Sequence, residues 1–195
     1  MGMHIGLVAA KGSVAQFRDA FSIVWPQLEI VASAENFPDP NAMWQWKESH
    51  EEFVSAADWT KDNASRQVYC FWQDGPWAVL LDESYLLSSD EEALKVLSSK
   101  VGTVLTFVVE TAGGCAFFAC YENGTLRREI SYNDGEVSTD GEPLPEETGI
   151  NVNHYYMNET EALWNAFGFS RYDEMPTSEE CQAICVVDHT DYGGL

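Results

Sequence analysis

Apolar residues recur along this chain with two different periods, and each change of period marks an element. The stretch Met3 to Ala10 is apolar apart from His4 and Gly6 and predicts a first strand. After Gly12 and Ser13, Val14, Phe17, Phe21, Val24 and Trp25 recur at three and four residues, predicting an amphipathic helix that Pro26 closes. Leu28 to Ala32 predicts a strand. Pro38 and Pro40 then place a loop over 36–40, because proline removes a donor and fixes its backbone angle. Residues 41–60 hold Trp44, Trp46, Phe53 and Trp59 among Glu and Lys and predict a second helix.

Two hairpins follow from composition. Val68 to Trp72 and Trp77 to Leu81 are β-rich runs joined by Gln73-Asp74-Gly75-Pro76. Cys115 to Glu122 and Thr125 to Tyr132 flank Asn123-Gly124, a favoured two-residue turn because both residues tolerate positive φ. An unbroken register from that turn sets Tyr121 opposite Leu126, Ala119 opposite Arg128, Phe117 opposite Ile130 and Cys115 opposite Tyr132. It leaves Ala116, Phe118 and Cys120 on a more polar face with Ser131, Glu129 and Arg127. Arg128 is then an anomaly on an apolar face.

Between the hairpins, Ser89 and Glu92 fit a capping box, and Ala93, Leu94, Leu97 and Val101 form one helical face. Val104 to Val109 is apolar enough to be buried on both sides and is the expected central strand. Residues 133–153 are broken by Gly135, Gly141, Pro143 and Pro145 into a surface loop or a short third strand. Asn158 and Glu161 open a further helix with Leu163, Ala166 and Phe167 buried, ending at Gly168. Thr177 and Glu180 cap a shorter one, and Ala183 to Val187 is the last strand. The class is α+β, an antiparallel or mixed sheet with hairpins flanked by several amphipathic helices, expected as a single globular domain over 1–195. With 45% hydrophobic residues and seven Trp among 195, the chain has ample material for a core.

Little in the sequence points to catalysis. Cys70, Cys115, Cys120, Cys181 and Cys185 are an odd number without a signal peptide, which favours reduced thiols in a cytoplasmic protein. Cys181, Cys185 and His189 have a four-and-four spacing that would suit a metal on a helix. On a strand they lie about 13 Å from end to end, so no metal and no other cofactor is expected. His4, His50, His154 and His189 lie in no catalytic signature. Glu110, at the end of the apolar run, and Arg128 are the expected partners of a structural ion pair.

Charge changes the picture most. The net charge is −22, and from Glu129 onward fifteen acids face Arg171 alone, so that segment carries −14. Such a surface repels phosphate backbones and anionic bilayers, excluding nucleic acid and membranes as partners and favouring a basic protein. The expected docking residues are Asp134, Glu136, Asp140, Glu142, Glu146 and Glu147, with Trp44 and Trp46 as aromatic anchors and Trp59 and Trp77 also near turns. The same acids also serve as a solubility coat.

In general character the chain resembles small acidic α+β immunity-type proteins of bacteria, and the stretch from Trp77-Ala78-Val79-Leu80-Leu81-Asp82 through Gly141-Glu142-Pro143-Leu144-Pro145-Glu146-Glu147 resembles a bacterial domain. The resemblance implies a non-enzymatic inhibitor of a nuclease-like toxin and transfers no site residue. The alternative is a carboxylate-based enzyme of a kind that can hold a divalent metal through oxygen ligands. A concave pocket with converging acids and a perturbed carboxyl would mark the enzyme; a shallow acidic face would mark the binding protein.

Overall fold

The computed structural model describes residues 4–55, 60, 64–170 and 181–189. Along the chain lie β1 (His4–Lys11), α1 (Val14–Val24), β2 (Leu28–Glu35), α2 (Pro40–His50), β3 (Arg66–Asp74), β4 (Trp77–Leu81) and α3 (Glu91–Val101). They are followed by β5 (Thr103–Glu110), β6 (Cys115–Glu122), β7 (Thr125–Asn133), β8 (Glu136–Gly141), α4 (Met157–Ala166) and β9 (Gln182–Asp188), with short 3₁₀ turns at Pro145–Glu147 and Val152–His154. The strands make one sheet in the order β2-β9-β3-β4-β1-β5-β6-β7-β8, antiparallel throughout. This is the α+β class that the periodicity predicts.

Helices cover both faces, and strand alternation divides the apolar residues between two cores. Val8 and Ala10 of β1 join Phe71, Leu80 and Val104 beneath α1 and α3, which contribute Phe17, Phe21, Leu94 and Leu97. Leu7 and Ala9 point the other way, to Val79, Phe107 and Phe118 beneath α2 and α4, which contribute Met43, Leu163 and Trp164. Burial on both sides explains why β1 and β5 are nearly continuous apolar runs. The middle strand is nevertheless β1, with β5 beside it, because hairpin β3–β4 and late strand β9 build the sheet outward from the other edge of β1.

Helix starts follow local chemistry. Ser13 and Gln16 form a capping box on α1. Asp39 caps α2 with Pro40 in the first helical position, where its missing N–H costs nothing. Asp90, rather than Ser89, caps α3 by accepting from Ala93 N at 3.1 Å. Helix α2 stops at His50 instead of continuing to 60, since Glu51 is extended and Glu52 pairs with Arg66 in a bridge. Helix α4 starts at Met157 and buries Thr160, Leu163 and Trp164. Trp59 and the helix expected from Thr177 to Glu180 lie outside the described residues.

The Asn123-Gly124 turn forms with φ of 49° and 86°, but the register beyond it is not the one expected. Tyr121 faces Leu126, and the next pair is Cys120 with Arg128, so Arg127 is an extra residue in a bulge. Every later pair is shifted by one: Ala119 with Glu129, Phe118 with Ile130, Phe117 with Ser131, Ala116 with Tyr132 and Cys115 with Asn133. The face carrying Ala116, Phe118 and Cys120, expected to be polar, is core. A second tight turn at Asp134-Gly135, with φ of 49° and 90°, adds β8 at the sheet edge. Among the described residues, no helix is long and apolar enough to cross a membrane.

Candidate functional site

The site begins with the loop between β4 and α3. Asp82 is fully buried, and its carboxylate accepts from Leu87 N at 2.9 Å, Ser88 N at 2.8 Å, Ser88 Oγ at 2.9 Å and Ser84 Oγ at 2.8 Å. Those bonds satisfy a buried charge and wind the loop around one point. Thr106 of β5 donates its hydroxyl to Ser88 O at 3.1 Å, tying the loop to the sheet. Gly6 permits the crossing: a Cβ there would lie 2.3 Å from Asp82 O and 2.6 Å from the Tyr85 ring.

So held, the loop forms one wall of a hollow of about 260 Å³, lined by Ser88, Ser89, Glu91, Phe117, Tyr121 and Glu129. The far wall comes from β6 and β7, where Ala119 sits opposite Glu129 with Phe117 and Tyr121 two residues to either side. The Arg127 bulge brings Glu129 to this face; without it Glu129 would point into the opposite core, since a one-residue slip reverses every side chain.

Glu129 has a like charge beside it. It pairs directly across the strands with Asp140 on β8. Burial first, then Glu91 and Asp140, raise the Glu129 carboxyl above the ordinary carboxylate range. Glu91 is balanced by Lys95 at 2.7 Å, which also meets Glu92 at 3.0 Å. Among the described residues, Glu129 has no ion-pair partner.

The expected docking residues separate into three groups. Asp134, Glu136, Asp140 and Glu142 are exposed along the β7–β8 hairpin and just after it, and alternation puts Glu136 and Asp140 on the same face as Glu129. Glu146 is half-buried. Glu147 is buried and not available to a partner, because it forms a two-pronged ion pair with Arg128. Trp44 and Trp46 do not join the acids. Their helix packs on β3 and β9, and β3 is six strands from β8, roughly 29 Å at about 4.8 Å per strand. Trp46 stacks on His50 with ring centroids 4.0 Å apart, and Trp77 is core.

The ion pair expected between Glu110 and Arg128 is replaced by two others. Glu110 lies opposite Cys115 and Arg128 opposite Cys120, five residues or about 17 Å apart along β6 at about 3.3 Å per residue. Glu110 instead bonds His4 Nδ1 and accepts from the Tyr85 hydroxyl at 3.2 Å. The other nitrogen of His4 lies 2.7 Å from the Glu83 carbonyl. An acceptor at each ring nitrogen favours the imidazolium, and the His4 pKa is raised first by Glu110 and then by that carbonyl.

Among the described residues no cysteine is in a disulfide. Burial pushes Cys70 and Cys120 up to about 12, which removes the thiolate that nucleophilic chemistry needs. Cys185 lies on strand β9 and faces the core, while His189 meets Glu29 at 2.7 Å. Among the described residues, no three His, Cys, Asp or Glu are grouped to hold a metal ion.

Glu91, Glu129, Phe117 and Tyr121 are the site residues that sequence reasoning missed. One signal was available. Treating Asp134-Gly135 as a two-residue turn pairs Asn133 with Glu136 and, four residues on, Glu129 with Asp140. Comparison of the chain with protein-family models, with curated proteins and with solved structures yields no match in any of the three.

Proposed function

We propose that this is a non-enzymatic binding protein that docks a basic protein partner on the β7–β8 edge. Its concrete form is an immunity-type or inhibitor protein acting on a nuclease-like toxin in the cytoplasm. The observation that carries this reading is the pairing of Glu129 with Asp140. Like charges directly opposite each other destabilise a sheet, and no base of the described chain offsets Glu129. A basic partner would supply that offset, and the exposed Glu136, Asp140 and Glu142 would speed its approach. The net charge of −22 supports a cationic protein over nucleic acid or an anionic membrane.

The test is affinity purification from native extract at low and high ionic strength, with wild type beside the triple variant Glu136→Gln, Asp140→Asn, Glu142→Gln. A basic protein retained by wild type at low salt, released at high salt and lost from the variant is expected. Capture of no basic protein at either salt, or equal capture by the variant, overturns the reading.

The hollow favours the second reading, a carboxylate-based enzyme, because Glu91 and Glu129 converge on it and Glu129 is perturbed. Calorimetric titration with Mg²⁺ and Ca²⁺ separates the two. Saturable binding that Glu129→Gln abolishes supports a metal-assisted enzyme, and the docking reading expects none.

A further inference from the structure

The Glu91–Glu129 hollow has a feature that the edge carboxylates lack. Tyr121, only 1% exposed, lines it, and its hydroxyl has no hydrogen-bond partner among the described residues. The phenol also lies within electrostatic reach of both carboxylates, since Glu91 and Glu129 each add to the effect of burial in raising its pKa. A hydroxyl without a protein partner, on the wall of a hollow beside two carboxylates, can accept from a group that donates hydrogen bonds and carries positive charge.

We infer that this hollow is a receptor for a single arginine side chain of the basic partner. The inference rests on the docking reading and names the group that reading requires. A guanidinium has five donors in one plane, enough to meet Glu129, Glu91 and the Tyr121 oxygen together, and its face can lie against the Phe117 ring. Lys95 already offsets Glu91 and Glu92, so the uncompensated charge is on Glu129, with Asp140 beside it. The loop wall is set by Asp82, so the receptor exists before the ligand arrives, which lowers the ordering cost of binding.

The test uses the full chain at low ionic strength, titrated with Nα-acetyl-arginine amide and followed by heteronuclear NMR. Saturable shifts at Ser88, Ser89, Glu91, Phe117, Tyr121 and Glu129 are expected. Nα-acetyl-citrulline amide, the neutral isostere, should leave them unmoved. Glu129→Gln should weaken arginine binding about tenfold, and Tyr121→Phe, which keeps the ring and hence the packing, roughly threefold or more. Citrulline matching arginine, shifts confined to other residues, or variants that titrate like wild type would overturn the inference. Equal affinity for Nα-acetyl-lysine amide overturns the arginine assignment. Failure of the docking reading is separable: a saturating arginine titration without capture of a basic protein keeps the receptor and rejects the docking. Capture without an arginine titration rejects the receptor alone.

Discussion

Arg128 and Glu147 form a buried two-pronged ion pair, Nε to Oε1 and Nη2 to Oε2, each at 2.8 Å. Arg128 also donates through Nη1 to the Gly141 carbonyl at 2.9 Å, so the chain leaving β8 is folded back against β7. The large charged residue that an unbroken register would place opposite Ala119 is thus neutralised on the other face of the sheet, opposite Cys120. Removing one partner of such a pair strands the other without solvent. Glu147→Ala should therefore lower stability by about 3–5 kcal/mol, measured by urea unfolding. A loss below about 1 kcal/mol would contradict the buried pairing.

Gly6 tests the crossing that builds the site. Its missing Cβ leaves room for Asp82 O and the Tyr85 ring, and its carbonyl accepts from Asp82 N at 2.8 Å. A methyl group cannot be added without moving backbone. Gly6→Ala should destabilise by about 1–3 kcal/mol, as overpacking does, and shift the amide resonances of Leu87 and Ser88. A variant with wild-type stability and unmoved resonances would show that the loop does not depend on that close approach.

His4 and Glu110 give stability a pH dependence of known sign. The fold favours protonated His4, so its contribution is complete below its ordinary value near 6.5 and is lost as pH rises through its higher folded value. Glu110 is held below its ordinary value near 4.5 by His4 first and then by the Ala112 N–H, so its contribution fades as pH falls through that lower value. Between those limits the pair stabilises β1 against β5. Wild type should lose stability relative to His4→Gln as pH rises from about 6 to about 9. An NMR midpoint for His4 at or below its ordinary value would refute the assignment.

Local chemistry was legible in the sequence, and long-range pairing was not. Ser13 before Val14, Asn123-Gly124, and the apolar faces of α1 and α3 each express a preference satisfied within a few residues. The order of the sheet depends on where β9 inserts, between β2 and β3, and nothing local to Gln182–Asp188 encodes that choice. The bulge at Arg127 is intermediate. Its trace was the misplaced charge of Arg128, which an unbroken register put on an apolar face with Glu110 as its expected partner, whereas the shifted register leads it to Glu147. The same shift carried Glu129 across the sheet, so the hollow was lost from view with it.

Glu129 and Asp140 should be worth more to binding than to folding. A carboxyl whose pKa is raised in the fold resists ionising, so stability falls as pH rises from the ordinary value near 4.5 through the folded one. Glu129→Gln removes that penalty. It should stabilise the protein at neutral pH by up to about 1 kcal/mol after solvent screening, and the gain should vanish below about pH 4, where both forms are neutral. Asp140→Asn should act in the same direction and add less than its full effect on top of Glu129→Gln, because each relieves the same repulsion. If both variants are also poorer at retaining a basic partner, the opposed carboxylates are kept at a cost in stability for the sake of binding. Denaturant curves at acid and neutral pH decide the matter: a Glu129→Gln protein less stable than wild type at neutral pH would mean that the carboxylate already has its counter-charge within the chain.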